Sequence, residues 1–157
     1  MKASELTIRL AVKTDLDELV RLEQECFAAE SFSRRQILYL LSRAAGNFFV
    51  LTEQSQIAGF IVLLKRKNSL GLRVYSLAVA PAFRGKQYAR RLLEKAVQVA
   101  QESGKIFLFL EVSEHNTGAI QLYRNWGFEH TGRRKNYYQD GSDALLMRQT
   151  LSSLAGD

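Results

Sequence analysis

The sequence contains few of the residues that cross-link small proteins or hold structural metals. Its 157 residues include one cysteine, one proline and two histidines. Cys26 has no second cysteine for an internal disulfide, which fits the reducing cytoplasm, and one Cys with two His falls short of a structural zinc set. We therefore expect no disulfide and no metal, and a chain of this length can bury a sizeable core without them.

Long apolar runs are missing too, and so are the common nucleotide-binding fingerprints. No run of about 18 apolar residues occurs, so no membrane span is expected, and the first twelve residues resemble a strand more than a signal peptide. Neither G-x-x-x-x-G-K-[ST] nor G-x-G-x-x-G is present. We expect one cytoplasmic domain over residues 1–157, with its core at about 6–151 and a frayed tail at 152–157.

Basic residues outnumber acidic ones, 22 to 16, which gives a net charge of +6. They concentrate in the segments 84–91 and 133–135. Such an excess permits attraction to phosphate-bearing cofactors, acidic proteins or RNA. A basic surface without a special partner is the simpler interpretation of the charge.

Hydrophobic periodicity predicts a mixed α/β fold with the order β-α-α-β-β-β-α-β-α-β-β. The longest helix is predicted from about Lys86 to Ser103, where apolar residues recur at offsets 0, 3, 4, 7, 8 and 11 from Ala89. The last two strands are predicted at 128–138 and 144–151, paired across a turn at Asp140-Gly141.

The segment 75–93 predicts a strand, a short basic turn and a helix in direct succession. Pro81 ends the strand, and Gly85 allows the backbone to approach a ligand closely. The N–H groups of about Gly85 to Ala89 would then point out of a helix start, where the dipole is positive. This arrangement suits phosphate, although an ordinary strand–loop–helix connection is the alternative.

Glu111 and Tyr123 are the candidates for acid–base chemistry. Glu111 shares a strand face with Phe107 and Phe109 near the strand end, so desolvation should raise its pKa toward the range of a general base. The alternative is a carboxylate that emerges into solvent. Tyr123 lies in an apolar helical stripe and is either a core aromatic or a rigidly held proton donor. Asn116 is a candidate helix N-cap.

Four segments in this order resemble the GNAT superfamily of acetyl-CoA-dependent N-acetyltransferases. They are LAV at 77–79, RGKQYA at 84–89, LFLEV at 108–112 and N-x-x-A-I-x-L-Y-x-x-x-G-F at 116–128. The segment RRKNYY at 133–138, followed by DALLM at 143–147, resembles the RimI-type branch. That branch acetylates the α-amino group of protein N-termini, and its namesake acts on a ribosomal protein. The resemblance implies a single-domain, mostly antiparallel, twisted sheet flanked by helices.

The resemblance also implies roles for individual residues. Glu111 would be the general base and Tyr123 the general acid of direct transfer in a ternary complex. Acetyl-CoA would be bound by Leu77, Ala78 and Val79 along the pantetheine arm, by Arg84, Gly85, Lys86, Gln87, Tyr88 and Ala89 at the pyrophosphate, and by Asn116. Apart from the resemblance, Phe32 is expected to help shape the acceptor pocket. Tyr137 and Tyr138, on the penultimate strand, would form an aromatic wall for the acceptor peptide, and packing on the sheet is the alternative. Cys26 is far from these residues in sequence and is given no nucleophilic role.

Two departures from the family pattern affect these expectations. Gln87 stands where the family usually has glycine, and we expect only modest weakening of cofactor binding if Gln87 lies in the first helical turn with negative φ. The segment FAAESF at 27–32 lacks the proline- and tryptophan-containing loop of the branch, which leaves the acceptor open.

The main expectation is acetylation of a protein N-terminus of the ribosomal-protein type by a monomer or weak dimer. A lysine, a polyamine or another small amine is the alternative acceptor. A non-catalytic basic module that binds RNA or a ribosome surface is the alternative from another class, although neither nucleic acid nor a membrane is the expected partner.

Overall fold

The computed structural model describes residues 5–43 and 47–151, and the tail predicted at 152–157 lies outside the described residues. The strands of this part of the chain are β1 (Leu6–Leu10), β2 (Phe48–Glu53), β3 (Gln56–Lys65), β4 (Gly71–Val79), β5 (Phe107–Ser113), β6 (Glu129–Arg134) and β7 (Ala144–Thr150). The α-helices are α1 (Leu16–Phe27), α2 (Arg34–Arg43), α3 (Tyr88–Glu102) and α4 (Thr117–Asn125). This succession confirms the predicted mixed α/β order.

The seven strands form a sheet in the order β1-β2-β3-β4-β5-β7-β6. The pairs β1–β2, β2–β3, β5–β7 and β6–β7 are antiparallel. Strands β4 and β5 are parallel, and their register runs from Gly71↔Phe107 to Arg73↔Phe109. The predicted, mostly antiparallel sheet is therefore confirmed, with a parallel step at its centre.

Two compact units make up the chain. The first comprises Met1–Leu64 with Ser76–Lys95, and the second comprises Lys65–Tyr75 with Ala96–Asp157. The boundary falls within β4 and within α3, so both of these elements contribute residues to both units.

In the first unit, β2 and β3 are buried along nearly their whole length, as expected for strands covered on both faces. The start of α2 carries a capping box, in which Ser33 Oγ accepts from the N–H of Gln36 at 3.1 Å and Gln36 Oε1 accepts from the N–H of Ser33 at 2.7 Å. A Cβ on Gly59 would stand 2.6 Å from the carbonyl oxygen of Ala78. Glycine therefore permits the close approach of β3 to the end of β4.

In the second unit, β5 alternates buried Leu108, Leu110 and Val112 with half-buried residues. Helix α4 ends in a Schellman motif, because the N–H of Phe128 donates to the carbonyl of Tyr123 at 2.9 Å and the N–H of Gly127 donates to that of Arg124 at 3.0 Å. Gly127 has φ +101°, which is the left-handed conformation that this motif uses.

Two predicted boundaries are wrong, each for a local reason. Helix α3 begins at Tyr88 instead of Lys86, because Gly85 and Gln87 both have positive φ and cannot continue a right-handed helix. Strand β6 ends at Arg134 instead of Tyr138, and residues 135–143 form a longer loop than the turn predicted at Asp140-Gly141.

Candidate active site

The end of β4 and the basic turn after it lie in the first unit. Residues Pro81–Phe83 form a single 3₁₀ turn, and the backbone then passes through Gly85 at φ +83° and Gln87 at φ +63° before α3 begins. The first N–H groups of this 15-residue helix have no acceptor within the helix. A Cβ at Gly85 would meet nothing within 4 Å, so the turn leaves open space beside its backbone. These features fit the phosphates of a cofactor.

The φ of Gln87 corrects the sequence-based expectation. Gln87 precedes α3 and has the left-handed conformation, whereas we expected it in the first helical turn with negative φ. Glycine adopts this conformation readily, and other L-residues do so at a cost of about 1–2 kcal/mol. The family glycine therefore corresponds to a real backbone requirement, which the glutamine of this chain meets under strain.

Both cations of the turn are engaged within the first unit. Arg84 folds back, and its Nε donates to the carbonyl oxygen of Val79 at 3.1 Å. Lys86 Nζ lies 3.4 Å from both carboxylate oxygens of Glu53 and 5.5 Å from the ring centroid of Phe83. The hydroxyl of Tyr88 also donates to Glu53, and together with Lys86 it holds the pKa of that carboxyl below its ordinary value. Sequence reasoning missed Glu53, since nothing in the spacing links β2 to the turn.

Cys26 lies beside these groups despite its distance from them in sequence. Its Sγ is 3.5 Å from the carbonyl oxygen of Val79 and 3.8 Å from a guanidinium nitrogen of Arg84. Burial raises the pKa of the Cys26 thiol, and Arg84 only opposes that shift in part. A thiol that stays protonated is a poor nucleophile. The burial of Cys26, and not its distance in sequence, is therefore the reason to give it no nucleophilic role.

Glu111 lies in the second unit, where its side chain is 11% exposed and engaged by Arg73. The Nε of Arg73 donates to Oε2 of Glu111 at 3.3 Å, and a terminal nitrogen of the same guanidinium donates to Oε1. The phenolic oxygen of Tyr137 accepts from that terminal nitrogen at 3.4 Å. Sequence reasoning placed Glu111 among apolar residues but missed Arg73, because only the parallel pairing of β4 with β5 brings the two together.

Tyr123 is 8% exposed, and its ring packs against Phe128 with centroids 5.5 Å apart. Burial raises the pKa of its phenol, and the nearby Tyr138 adds to the effect. The structure thus supports the interpretation of Tyr123 as a core aromatic, and it also keeps the hydroxyl protonated at every physiological pH.

Tyr137 and Tyr138 do not lie on the penultimate strand, as predicted, but in the loop 135–143. Their rings meet edge to face with centroids 5.0 Å apart, and both backbone N–H groups donate to the carbonyl of Ser142 at 3.1 and 3.2 Å. The Asp143 carboxylate accepts from the N–H of Asn136 at 3.0 Å and from Arg133 at 2.8 Å. The loop is thereby fixed by its own hydrogen bonds.

Asn116 caps α4, since its side-chain oxygen accepts from the N–H of Ala119 at 3.1 Å. Phe32 precedes α2, and its N–H donates to Oε1 of Glu23 at 3.1 Å. Glu23 is 2% exposed, and burial raises its pKa to about 7. Sequence reasoning gave Glu23 no role, although its offset of four from Leu19 places it on the buried face of α1.

Among residues 5–43 and 47–151, no three or more His, Cys, Asp or Glu side chains are grouped so that they could hold a metal ion. Within the same residues, no helix has the length and apolar character needed to cross a membrane.

The fold is that of an α/β domain of the N-acetyltransferase class, and solved acetyltransferase structures superpose along nearly the whole chain. The ribosomal-protein-S18-alanine N-acetyltransferase of Escherichia coli matches with a TM-score of 0.82 and 29% identity, covering 98% of this chain and 97% of that one. The model of the acetyltransferase (GNAT) family matches residues 16–128. This chain therefore belongs to the GNAT acetyltransferase family, as the resemblance of its motifs predicted.

Curated relatives point to the same branch. The [ribosomal protein bS18]-alanine N-acetyltransferase of Haemophilus ducreyi is 34% identical over 146 residues, which cover 89% of this chain and 97% of that protein. An uncharacterized protein of Mycobacterium leprae is 46% identical over 153 residues; the match covers 92% of this chain but only 40% of that longer protein. The chain is thus an N-acetyltransferase similar to the RimI type.

Proposed function

We propose that this enzyme transfers the acetyl group of acetyl-CoA to the α-amino group of a protein N-terminus, of the kind that the bS18-alanine N-acetyltransferases acetylate. The observation that carries the proposal is the largely buried Glu111 carboxylate on β5, in a chain that shares its branch with those relatives. The cytoplasmic location and the monomeric or weakly dimeric state stay predictions.

The chemistry of the acceptor favours an α-amino group over a lysine. An amine attacks a thioester only in its unprotonated form. At pH 7 an α-amino group with a pKa near 8 costs about 1 kcal/mol to deprotonate, whereas a lysine with a pKa near 10.4 costs about 4.6 kcal/mol. A single carboxylate such as Glu111, acting directly or through water, is therefore better suited to deprotonate an α-amino group than a lysine.

In the proposed reaction the amine nitrogen attacks the thioester carbonyl carbon and forms the new N–C bond. Glu111 takes the proton that the nitrogen loses, and the C–S bond breaks to release the CoA thiolate. The N–H of a residue at the end of β4 would stabilise the oxyanion of the tetrahedral intermediate. Atoms and charge balance once the thiolate is protonated.

Tyr123 suits this last step mainly as a hydrogen-bond donor. Its pKa lies above the ordinary value near 10, while an alkyl thiol has a pKa near 8.5. Complete transfer of the phenolic proton to the thiolate would therefore be uphill. A phenol that stays protonated can nevertheless stabilise the developing thiolate and leave its final protonation to solvent.

The turn at 84–89 is assigned to the pyrophosphate and the backbone of Leu77–Val79 to the pantetheine arm. Free N–H groups at the start of α3, the open side of Gly85 and two nearby cations support this assignment. Arg84 and Lys86 would exchange their present partners, Val79 and Glu53, for phosphate oxygens.

The experiment that tests the function combines thermal melting with mass spectrometry of acceptors. A ligand at 100 times its Kd stabilises the folded state by about 2.7 kcal/mol, so saturating acetyl-CoA or CoA should raise the Tm by roughly 5–10 °C, and ATP should raise it less. A peptide with a free N-terminal alanine should be acetylated, whereas its N-terminally blocked copy with an internal lysine should not.

Glu111→Gln serves as the matched inactive variant. It should keep the melting shift with acetyl-CoA and lose turnover, most strongly at low pH. The absence of a melting shift in the parent would refute acetyl-CoA binding. Acetylation confined to lysine or to a polyamine would refute the acceptor.

A further inference from the structure

The Arg73–Glu111 pair is the feature of the second unit that the family resemblance did not anticipate. Arg73 lies opposite Phe109 in the parallel register of β4 and β5, and its guanidinium reaches both oxygens of the carboxylate two residues further along β5. The ring of Tyr75 lies 5.0 Å from the guanidinium carbon. Arg73 thus contacts both an aromatic ring and the candidate base.

The other charged and titratable groups on this face can be named from the register. Glu111 pairs with the apolar Leu146, and Arg148 lies opposite Phe109, with its guanidinium 3.7 Å from the centroid of the Phe107 ring. The Tyr137 hydroxyl contacts the same guanidinium nitrogen that donates to Glu111. Arg73 is therefore the cation in direct contact with the carboxylate, and Arg148 is a second, more distant one.

Such a contact decides two properties of a partly buried carboxylate. Burial disfavours the ionised form, and an adjacent cation favours it. A guanidinium that donates through two nitrogens also fixes the direction of the carboxylate oxygens, which a lysine ammonium cannot do in the same way. Replacing Arg73 by lysine keeps the positive charge but loses the paired donors, whereas an uncharged side chain loses both. Comparing the two variants therefore separates the effect of charge from that of orientation.

We propose that Arg73 is the positioning residue of Glu111: it places a cation beside the carboxylate, and its two donated hydrogen bonds fix the direction in which the carboxylate faces the amine. This inference rests on the proposed function, which assigns Glu111 as the base. It adds a residue on β4 to the proton transfer from the amine to Glu111.

Two variants test the proposal through the pH dependence of kcat. In Arg73→Met the cation is lost, so the acid limb of the pH–rate profile should move to higher pH by about one unit or more. In Arg73→Lys the charge stays, so the acid limb should remain within about half a unit of the parent while the plateau kcat falls several-fold. The KM for acetyl-CoA should change little in both. Arg66→Met, an exposed position of the same unit, is the control and should match the parent.

A measurement without turnover keeps the inference independent of the function. In protein labelled with ¹³C at the glutamate carboxyls, the Glu111 signal is identified by its loss in Glu111→Gln. Its titration midpoint should rise in Arg73→Met by about the shift of the acid limb. If this shift occurs but no acceptor is ever acetylated, the pairing stands and the proposed function fails.

Three results would overturn the proposal. The first is an unchanged Glu111 titration in Arg73→Met with normal turnover, which would leave the enzyme function intact. The second is an acid limb in Arg73→Lys displaced as far as in Arg73→Met, which would show that charge is not the cause. The third is a parental kcat in Arg73→Lys, which would remove the orienting role even if Arg73→Met does not fold.

Discussion

At the scale of single residues, Glu23 is the ionisable group whose environment differs most from water in the first unit. It is 2% exposed, its pKa is raised to about 7 by burial, and its Oε1 accepts from the N–H of Phe32. In the unfolded chain the pKa of Glu23 is 4.5. As the pH rises, the unfolded chain therefore loses this proton at a lower pH than the folded protein does. The contribution of Glu23 to stability is then fully present below about pH 4.5, declines as the pH rises to about 7, and levels off above that window.

Glu23→Gln should remove this pH dependence. An amide keeps an oxygen for the N–H of Phe32 and cannot ionise. Relative to the variant, the parent should lose about 3 kcal/mol of unfolding free energy between pH 4.5 and pH 8. Denaturant unfolding at a series of pH values measures the difference. The exposed Glu25→Gln on the same helix is the control, and curves for Glu23→Gln and the parent that stay parallel across this range would contradict the prediction.

Residue types and spacing predicted Glu111 and Tyr123 as candidates but not their partners. Arg73 follows from which strand lies beside β5, and a parallel neighbour depends on a crossover that periodicity does not specify. Cys26 illustrates the same limit, since its contact with Val79 joins residues 53 positions apart. A candidate acid or base can be predicted from its residue type and position in the sequence. The neighbour that it contacts in the folded protein cannot be predicted in this way.

At the scale of elements, the turn before α3 is where local conformation and sequence disagree. Gln87 adopts φ +63°, and its carbonyl accepts from the N–H of Arg91 at 3.3 Å. The helix therefore begins directly after a strained residue. The strain is modest because glutamine is unbranched at Cβ.

Gln87→Gly should not lower stability, whereas Gln87→Val should lower it. Glycine removes the left-handed strain but loosens the unfolded chain, so it should leave stability unchanged or raise it by up to about 1 kcal/mol. Valine, which is β-branched, should lower stability by about 1–2 kcal/mol. Urea unfolding without ligand measures both. If valine proves neutral, Gln87 does not occupy the left-handed conformation in solution.

The start of α4 provides the second test at this scale. Asn116→Ala removes the acceptor for the N–H of Ala119 and should destabilise the protein by about 1 kcal/mol, whereas Asn116→Asp should retain the cap. Unfolding without cofactor isolates this effect from any contact of Asn116 with acetyl-CoA. A loss of acetyl-CoA affinity without a loss of stability would contradict the capping role and favour the cofactor contact.

The succession of helices and strands was predictable because their periods are strong, and the helix end at Gly127 was predictable because its turn chemistry is local. The loop 135–143 was not. The loop contains no β-branched residues, but its two adjacent tyrosines resemble a continuation of the strand. Asp140-Gly141 is also the usual signal for a two-residue hairpin turn. The strand ends earlier because Asp143 and Asp140 satisfy the N–H groups of Asn136 and Ser142, at 3.0 and 2.8 Å.

At the scale of the whole molecule, the net charge of +6 supported two classes of function from sequence alone. Arg133, in the second basic segment, is paired with Asp143 at 2.8 Å and with Glu114 at 3.1 Å. Its charge is thus partly offset locally, and the segment helps to fix the loop of Tyr137. Membership of the acetyltransferase family then favours the enzyme over the non-catalytic RNA-binding module.

The single domain expected from the sequence is the last prediction. The first and second units both contain parts of β4 and α3, so neither could be excised without cutting a strand and a helix. Hydrogen bonding within an element is cooperative, and we therefore expect the two units to unfold together. The single tryptophan, Trp126, reports on the second unit through its fluorescence, while far-UV circular dichroism reports on both.

Leu51→Ala places a perturbation in the first unit, where Leu51 is fully buried, and should destabilise it by about 2–5 kcal/mol. If the chain is one cooperative domain, the urea midpoint seen by Trp126 should fall by the same amount as the midpoint seen by circular dichroism. A Trp126 transition that stays at the parental midpoint, with a biphasic circular dichroism curve, would show that the units unfold separately. Met147→Ala is the reciprocal variant in the second unit, where Met147 is buried. If the two units unfold together, this variant should also lower both urea midpoints by the same amount.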